Sequence, residues 1–142
     1  MKPIIAFLFL LAIHSSAAAE LKPFKSDGCS SFSDGTLADK DLWKACCYHH
    51  DLAYWQGGNK SMRKQADIEL KQCVAAVGKP MIAKLMLAGV RVGGSPYWPT
   101  KFRWAYGWPY LRGYKELSPE DRTLTEKELK RISQTRIKRI KE

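Results

Sequence analysis

The chain is short of several things at once. It has four cysteines and three histidines in 142 residues, and no acidic residue between Glu69 and Glu116. Beyond residue 19 no apolar run approaches the roughly 20 residues that a membrane-spanning helix needs, and no internal repeat is visible. Each shortage excludes something. The length leaves room for one domain and hardly two. The absence of a long apolar run excludes a later transmembrane span. The acid-free stretch holds Lys71, Lys79, Lys84, Arg91, Lys101, Arg103, Arg112 and Lys115. A basic surface left without acidic neighbours favours polyanions, either anionic lipid or nucleic acid.

The N-terminus is a separate matter. Met1-Lys2 is a short basic start, Pro3 to Ile13 is an apolar run too short to span a bilayer, and Ala17-Ala18-Ala19 supplies small residues for cleavage. This reads as a secretory signal removed at about Glu20. It divides the chain into a signal (1–19), a principal domain (20–117) and a basic C-terminal helix or tail (118–142). The signal carries Lys2 as its only charge, so 24 basic residues become 23 against 14 acidic, and the net charge falls from +10 to +9. Export to a periplasm or to the outside makes anionic lipid the expected partner, with no nucleic acid and no obligate protein partner implied. It also makes the even number of cysteines a pair of disulfides. Adjacent Cys46 and Cys47 would need a strained ring to pair with each other. One of them is therefore expected to reach Cys29 and the other Cys73.

The centre of the chain is Cys46-Cys47-Tyr48-His49-His50-Asp51-Leu52-Ala53-Tyr54. The run from Asp39 to Gln56 reads as one helix, capped by Asp39 or Asp41 and ended by Gly57-Gly58. Cys46, His50 and Tyr54 then share one face, and Cys47 and Asp51 the next. A second helix starts at Asn59 or Ser61 and runs to about Val77, with Ile68, Leu70, Cys73, Val74 and Val77 as its apolar stripe. The short connection makes it an antiparallel neighbour of the first. If Cys46 bridges to Cys73, His50 lies about 6 Å further along, level with Asp67 to Glu69 on the second helix. A carboxylate should therefore face His50, and helical angle alone leaves Asp67 and Glu69 open.

Pro80 to Val92 reads as a third helix packed into the core. Ser95 to Tyr114 holds half of the chain's Phe, Tyr and Trp residues. Two roles fit it. Trp98, Lys101, Arg103, Trp104, Trp108 and Arg112 could sit in the headgroup region of a bilayer, or the rings could close a small core. Ser118-Pro119 marks a turn. Thr125 starts a last helix with a capping box to Glu128 and a Leu124/Leu129 staple; its face is covered by Lys130, Arg131, Arg136, Lys138, Arg139 and Lys141.

A histidine on a helix beside a buried carboxylate is a general base with its orienting partner. An aspartate beside a turn-rich loop of backbone carbonyls suits a hard cation such as calcium. Together they suggest hydrolysis, the base activating water and the ion polarising a carbonyl. A zinc site built from Cys46, Cys47, His49 and His50 fits poorly, because adjacent side chains on a helix diverge.

The pattern Cys46-Cys47-x-x-His50-Asp51-x-x-Tyr54 resembles the active-site helix of the secreted phospholipases A2, and Asp67, six residues before Cys73, resembles that family's second helix. The resemblance covers about residues 27–74. It implies an all-α fold with two antiparallel, disulfide-linked helices at the core of a small domain, and extra C-terminal helices and loops. It implies the pairings Cys46–Cys73 and Cys47–Cys29. It chooses Asp67 over Glu69 as the partner that orients His50, with Tyr54 supporting Asp67. It implies Ca2+ bound by Asp51 and by the carbonyls of Gly28, Ser30 and Phe32, with the Ser30 amide serving the oxyanion. The activity implied is cleavage of the sn-2 ester of glycerophospholipids at a membrane. Two departures stand out. Ala53 and Ala66 occupy positions where the family has a further disulfide, so both partners of one bridge are missing together. The loop after Cys29 has Ser30-Ser31-Phe32-Ser33 where the family is glycine-rich, which restricts its dihedrals. Asp27 or Asp34 could add a carboxylate that the family lacks. The altered loop leaves a second possibility, a catalytically weak or inactive cationic protein that binds or disrupts membranes.

Overall fold

In a computed structural model describing residues 20–141, the chain folds into four helices, with no strand among the described residues. The expected signal, residues 1–19, lies outside the described residues. The helices are α1 (Lys44–Gln56), α2 (Lys60–Ala76), α3 (Pro80–Gly93) and α4 (Pro119–Lys141). The two disulfides are Cys29–Cys47 and Cys46–Cys73. The first ties the long N-terminal loop to α1 and the second ties α1 to α2. Closing loops of 18 and 27 residues is worth about 3 kcal/mol each on the chain-entropy account.

Helix α1 begins five residues later than its sequence suggests. Asp39 and Asp41 do not cap it. Their carbonyls accept turn hydrogen bonds from Thr36 (2.7 Å) and Lys44 (3.1 Å). Trp43 decides the matter. It is only 3 % exposed, and its indole N–H donates to the Ser33 carbonyl at 2.6 Å. Burying this ring folds the preceding residues back as turns instead of extending the helix. At the other end Gly57, at φ 70°, closes α1 with its N–H on Ala53 O, a left-handed conformation that favours glycine. Asn59 then caps α2 by accepting from the Met62 N–H at 3.0 Å. The connection is three residues long, so α2 packs antiparallel on α1, and it also packs against α3. Pro80 opens α3, where its missing N–H costs nothing.

Helix α4 starts six residues earlier than expected. The Ser118 hydroxyl accepts from the Asp121 N–H, and Asp121 accepts from the Ser118 N–H at 3.0 Å. This is a reciprocal cap with Pro119 in the first turn and Glu120 beside it. It is a stronger start than Thr125, whose hydroxyl instead donates back to Arg122 O within the helix. The Ser118-Pro119 pair is thus a helix start and not simply a turn.

Two buried clusters flank the middle of α1. One joins Trp43, Cys46, Cys47, Leu70, Val74 and Met86 between the helices. The other joins Tyr54, Ala66, Trp104 and Trp108 at its C-terminal end. His50 lies between them, so the candidate chemistry sits at the junction of two packed cores.

Candidate active site

His50 projects from α1 toward α2, and its Nε2 lies 3.1 Å from Asp67 Oδ1. The Tyr54 hydroxyl donates to the same oxygen at 2.6 Å. Asp67 has no solvent exposure. Glu69 is exposed and accepts from Gln65, so the choice between the two carboxylates falls on Asp67. Burial, with the Asp67 charge beside it, holds the Tyr54 phenol well above its ordinary range; it stays a neutral donor. The His50 and Tyr54 rings lie 4.2 Å apart, as the i, i+4 spacing requires.

The sequence reading missed two arginines in this network. Arg63, on α2, donates from Nε to the Tyr54 hydroxyl (3.2 Å) and from Nη2 to the carbonyls of Val90 and Arg91 (both 2.9 Å). Arg91, on α3, places Nε 3.0 Å from Asp67 Oδ2. The available signals were slight: Arg63 stands one helical turn before Asp67, and Arg91 is one of only two charges in an otherwise apolar helix.

His50 lines a cavity of about 450 Å³ together with Asp51, Tyr54, the 28–32 loop and α3. Gly94 lets the chain close over this site, because a Cβ there would lie 2.5 Å from the Tyr54 hydroxyl. Asp51, which also lines the cavity, accepts from the Ser26 hydroxyl at 2.7 Å. Burial raises its carboxyl from 3.8 to about 7; the Ser26 bond opposes this, and nearby Asp27 and Asp34 add to it. A carboxylate so hard to ionise alone is one that a cation would relieve.

The 28–35 loop is shaped by glycine and by acidic side chains. Gly28 has φ 78°, and a Cβ there would meet Asp34 Oδ1 at 2.4 Å. That oxygen accepts from the Cys29 N–H at 2.7 Å. Ser30 adopts φ 56°, a left-handed conformation unusual outside glycine, and its hydroxyl donates to Asp27. The loop's hydrogen bonds use the carbonyls of Cys29, Ser33, Asp34 and Gly35. Among the described residues they leave the carbonyls of Gly28, Ser30 and Phe32, and the Ser30 N–H, unengaged. The Asp51 carboxylate and these backbone oxygens line one cavity and are oxygen donors of the type that a hard cation such as calcium takes. Among the described residues no group of three or more His, Cys, Asp or Glu side chains is arranged to hold a metal. Cys46 and Cys47 are both in disulfides, which removes them as thiolate ligands for zinc.

The aromatic segment requires a correction. Trp104 and Trp108 are 1 % and 0 % exposed. They donate their indole N–H groups to Gly58 O (2.9 Å) and Gln56 O (2.7 Å), while the Ala105 N–H bonds Tyr54 O at 2.7 Å. The segment therefore wraps the C-terminal end of α1 and satisfies carbonyls that the helix itself leaves open. Arg103 is buried and donates to the carbonyls of Trp104, Ala105 and Trp108. Arg112 stacks on Trp108 and pairs with Asp121. These four cannot meet a bilayer, because their polar groups are spent inside the protein. Trp98 and Lys101 remain at the surface.

No protein-family model matches the chain, and neither does any curated protein or solved structure. Functional assignment therefore rests on the site itself.

Proposed function

We propose that the protein is a calcium-dependent hydrolase of the sn-2 ester of glycerophospholipids, with a phospholipase A2-like arrangement of its first two helices. The observation that carries this is the His50–Asp67–Tyr54 network opening into an apolar cavity that Asp51 and the Gly28, Ser30 and Phe32 loop also line. Asp67 holds His50 through Nε2, which leaves Nδ1 to accept a proton. In the reaction His50 Nδ1 takes a proton from water as its oxygen attacks the ester carbonyl, and returns it to the departing alkoxide oxygen. The Ser30 N–H donates to the oxyanion. Asp51 with the Gly28, Ser30 and Phe32 carbonyls would hold calcium, and the chemistry a bound ion supplies is polarisation of the ester carbonyl. The apolar lining of the cavity suits acyl chains.

The surface that would meet lipid lies mainly on α3. Met81, Leu85 and Val92 are 72 %, 57 % and 75 % exposed, and their spacing, with Ala88 between, puts them on one face. Leu85 and Ala88 also line the cavity, so the apolar stripe runs into its mouth. Trp98 extends it, its indole N–H on Val92 O at 3.1 Å. Lys84, next to Leu85 on α3, is exposed, as is Lys101 near Trp98 in sequence. Among the described residues no helix is long and apolar enough to cross a membrane, so contact would be with one face of the bilayer. Changing Met81 and Val92, which lie outside the cavity, together to aspartate should weaken binding to anionic vesicles at least tenfold. Cleavage of a short-chain, water-soluble phospholipid should change little. Vesicle binding untouched by the pair would remove α3 from the lipid face.

The function itself is tested by fatty-acid release from mixed anionic vesicles, with calcium and with a chelator. Release that requires calcium supports the proposal. Binding or leakage without release would instead favour the inactive membrane-binding protein.

A further inference from the structure

The structure assigns Arg91 as a positioning residue that sets the tautomer of His50 through Asp67. This rests on His50 being the base of the proposed reaction, but its structural half can be tested without that reaction.

Asp67 is fully buried, and its Oδ1 is already occupied by His50 Nε2 and the Tyr54 hydroxyl. Both meet it as hydrogen-bond partners, and dipoles alone do not offset the cost of burying a carboxylate charge. Oδ2 faces Arg91 Nε at 3.0 Å. Neither atom has a hydrogen-bond partner, so the approach is that of an ion pair and not of a forked guanidinium bond. Among the described residues, His50 aside, Arg91 is the one ionic partner of Asp67. The other nearby cation, Arg63, bonds Tyr54 and backbone carbonyls without reaching the carboxylate.

Arg91 is held at both ends. Its carbonyl accepts from Arg63 Nη2 at 2.9 Å, and its own Nη2 donates to Lys64 O at 3.2 Å. The guanidinium is thus fixed before any substrate arrives.

The consequence for His50 is direct. A charged Asp67 can only accept, so the imidazole must carry its proton on Nε2 and present a lone pair at Nδ1. Without the Arg91 charge, a neutral Asp67 carboxyl could donate to Nε2 instead. The ring proton would then move to Nδ1, and His50 could no longer take a proton from water. Because the pair is ionic in geometry, lysine at position 91 should replace arginine, whereas glutamine should not.

The experiment compares parental protein with Arg91→Gln and Arg91→Lys. The His50 ring nitrogens are read by nitrogen-15 NMR, and kcat and KM are measured on a short-chain phospholipid. The expected result is an Nε2–H imidazole in the parent and in Arg91→Lys, and a shift toward Nδ1–H in Arg91→Gln. The kcat of Arg91→Gln should fall about 10–100-fold, the usual effect of losing an orienting partner, with KM nearly unchanged. A parental His50 spectrum in folded Arg91→Gln would overturn the proposal. If Arg91→Gln does not fold, Arg91→Lys decides: an Nε2–H ring supports the assignment, and a changed tautomer overturns it. A parent without lipase activity would remove the proposed function, while the NMR comparison would still decide the role of Arg91.

Discussion

Replacing His50 with asparagine is expected to lower calcium-dependent fatty-acid release by about a thousandfold, within the range that a general base contributes. Asparagine can keep a hydrogen bond to Asp67 through its amide, so the buried carboxylate retains a partner and the helices should keep their packing. It offers no atom basic enough to take a proton from water. His50 is only 9 % exposed and is not part of the exposed α3 stripe, so vesicle binding should be unchanged. The comparison needs the folded variant, shown by its melting temperature and two intact disulfides, assayed on the same vesicles as the parent. Equal release by the two proteins would mean that His50 is a structural histidine and that any hydrolysis arises elsewhere.

The Asp51→Asn variant should show a trade between stability and function. Asp51 is largely buried, and its carboxyl is raised from 3.8 to about 7 in the folded protein. A folded state that binds a proton more tightly than the unfolded chain is most stable, as far as this group goes, below the unfolded value. That contribution is lost as pH rises from about 4 to about 7. The loss approaches about 4 kcal/mol at most. In a calcium-free buffer the parent should therefore melt lower at pH 8 than at pH 5, and Asp51→Asn should melt higher than the parent at pH 8. The amide can still accept from the Ser26 hydroxyl and carries no charge to bury. Millimolar calcium should raise the melting temperature of the parent, by binding only the folded state, and leave the variant where it was. Activity in the variant should fall to the level seen with chelator. A variant still stabilised by calcium would show that Asp51 is not a ligand.

Much of the candidate site was legible in residue spacing. Cys46, His50 and Tyr54 recur every fourth residue, and a helix leaves them no choice of face. Gly57-Gly58-Asn59 supplies a helix stop and a cap in three residues, so the antiparallel pair follows from local chemistry. Helix α3, between Pro80 and Gly93-Gly94, is bounded in the same way. The starts of α1 and α4 were less legible. At α1, a buried tryptophan outweighed two aspartates suited to capping. At α4, two capping boxes one to two turns apart competed, and the earlier had proline and acidic residues in its first turn.

Partnership across the fold was legible only in part: spacing placed a carboxylate opposite His50, but the resemblance, and not helical angle, chose Asp67. Glu69 and Asp67 are both near the level of His50 on α2, and a rotation of a fraction of a turn separates the buried one from the exposed one. Trp104, Trp108, Arg103 and Arg112 have the composition of a headgroup belt, yet their polar atoms are taken by the carbonyls at the end of α1, by one another and by Asp121. Composition records which groups are present, but burial depends on which surface another segment covers. The same holds for Arg91. Its residue type states a positive charge, and only the packing of α3 across α2 brings that charge to Asp67. Local hydrogen bonding and helical periodicity act within a few residues, so the chain carries them openly. Ion pairs, cavity walls and exposed stripes are relations between segments tens of residues apart, and these were decided when the helices packed.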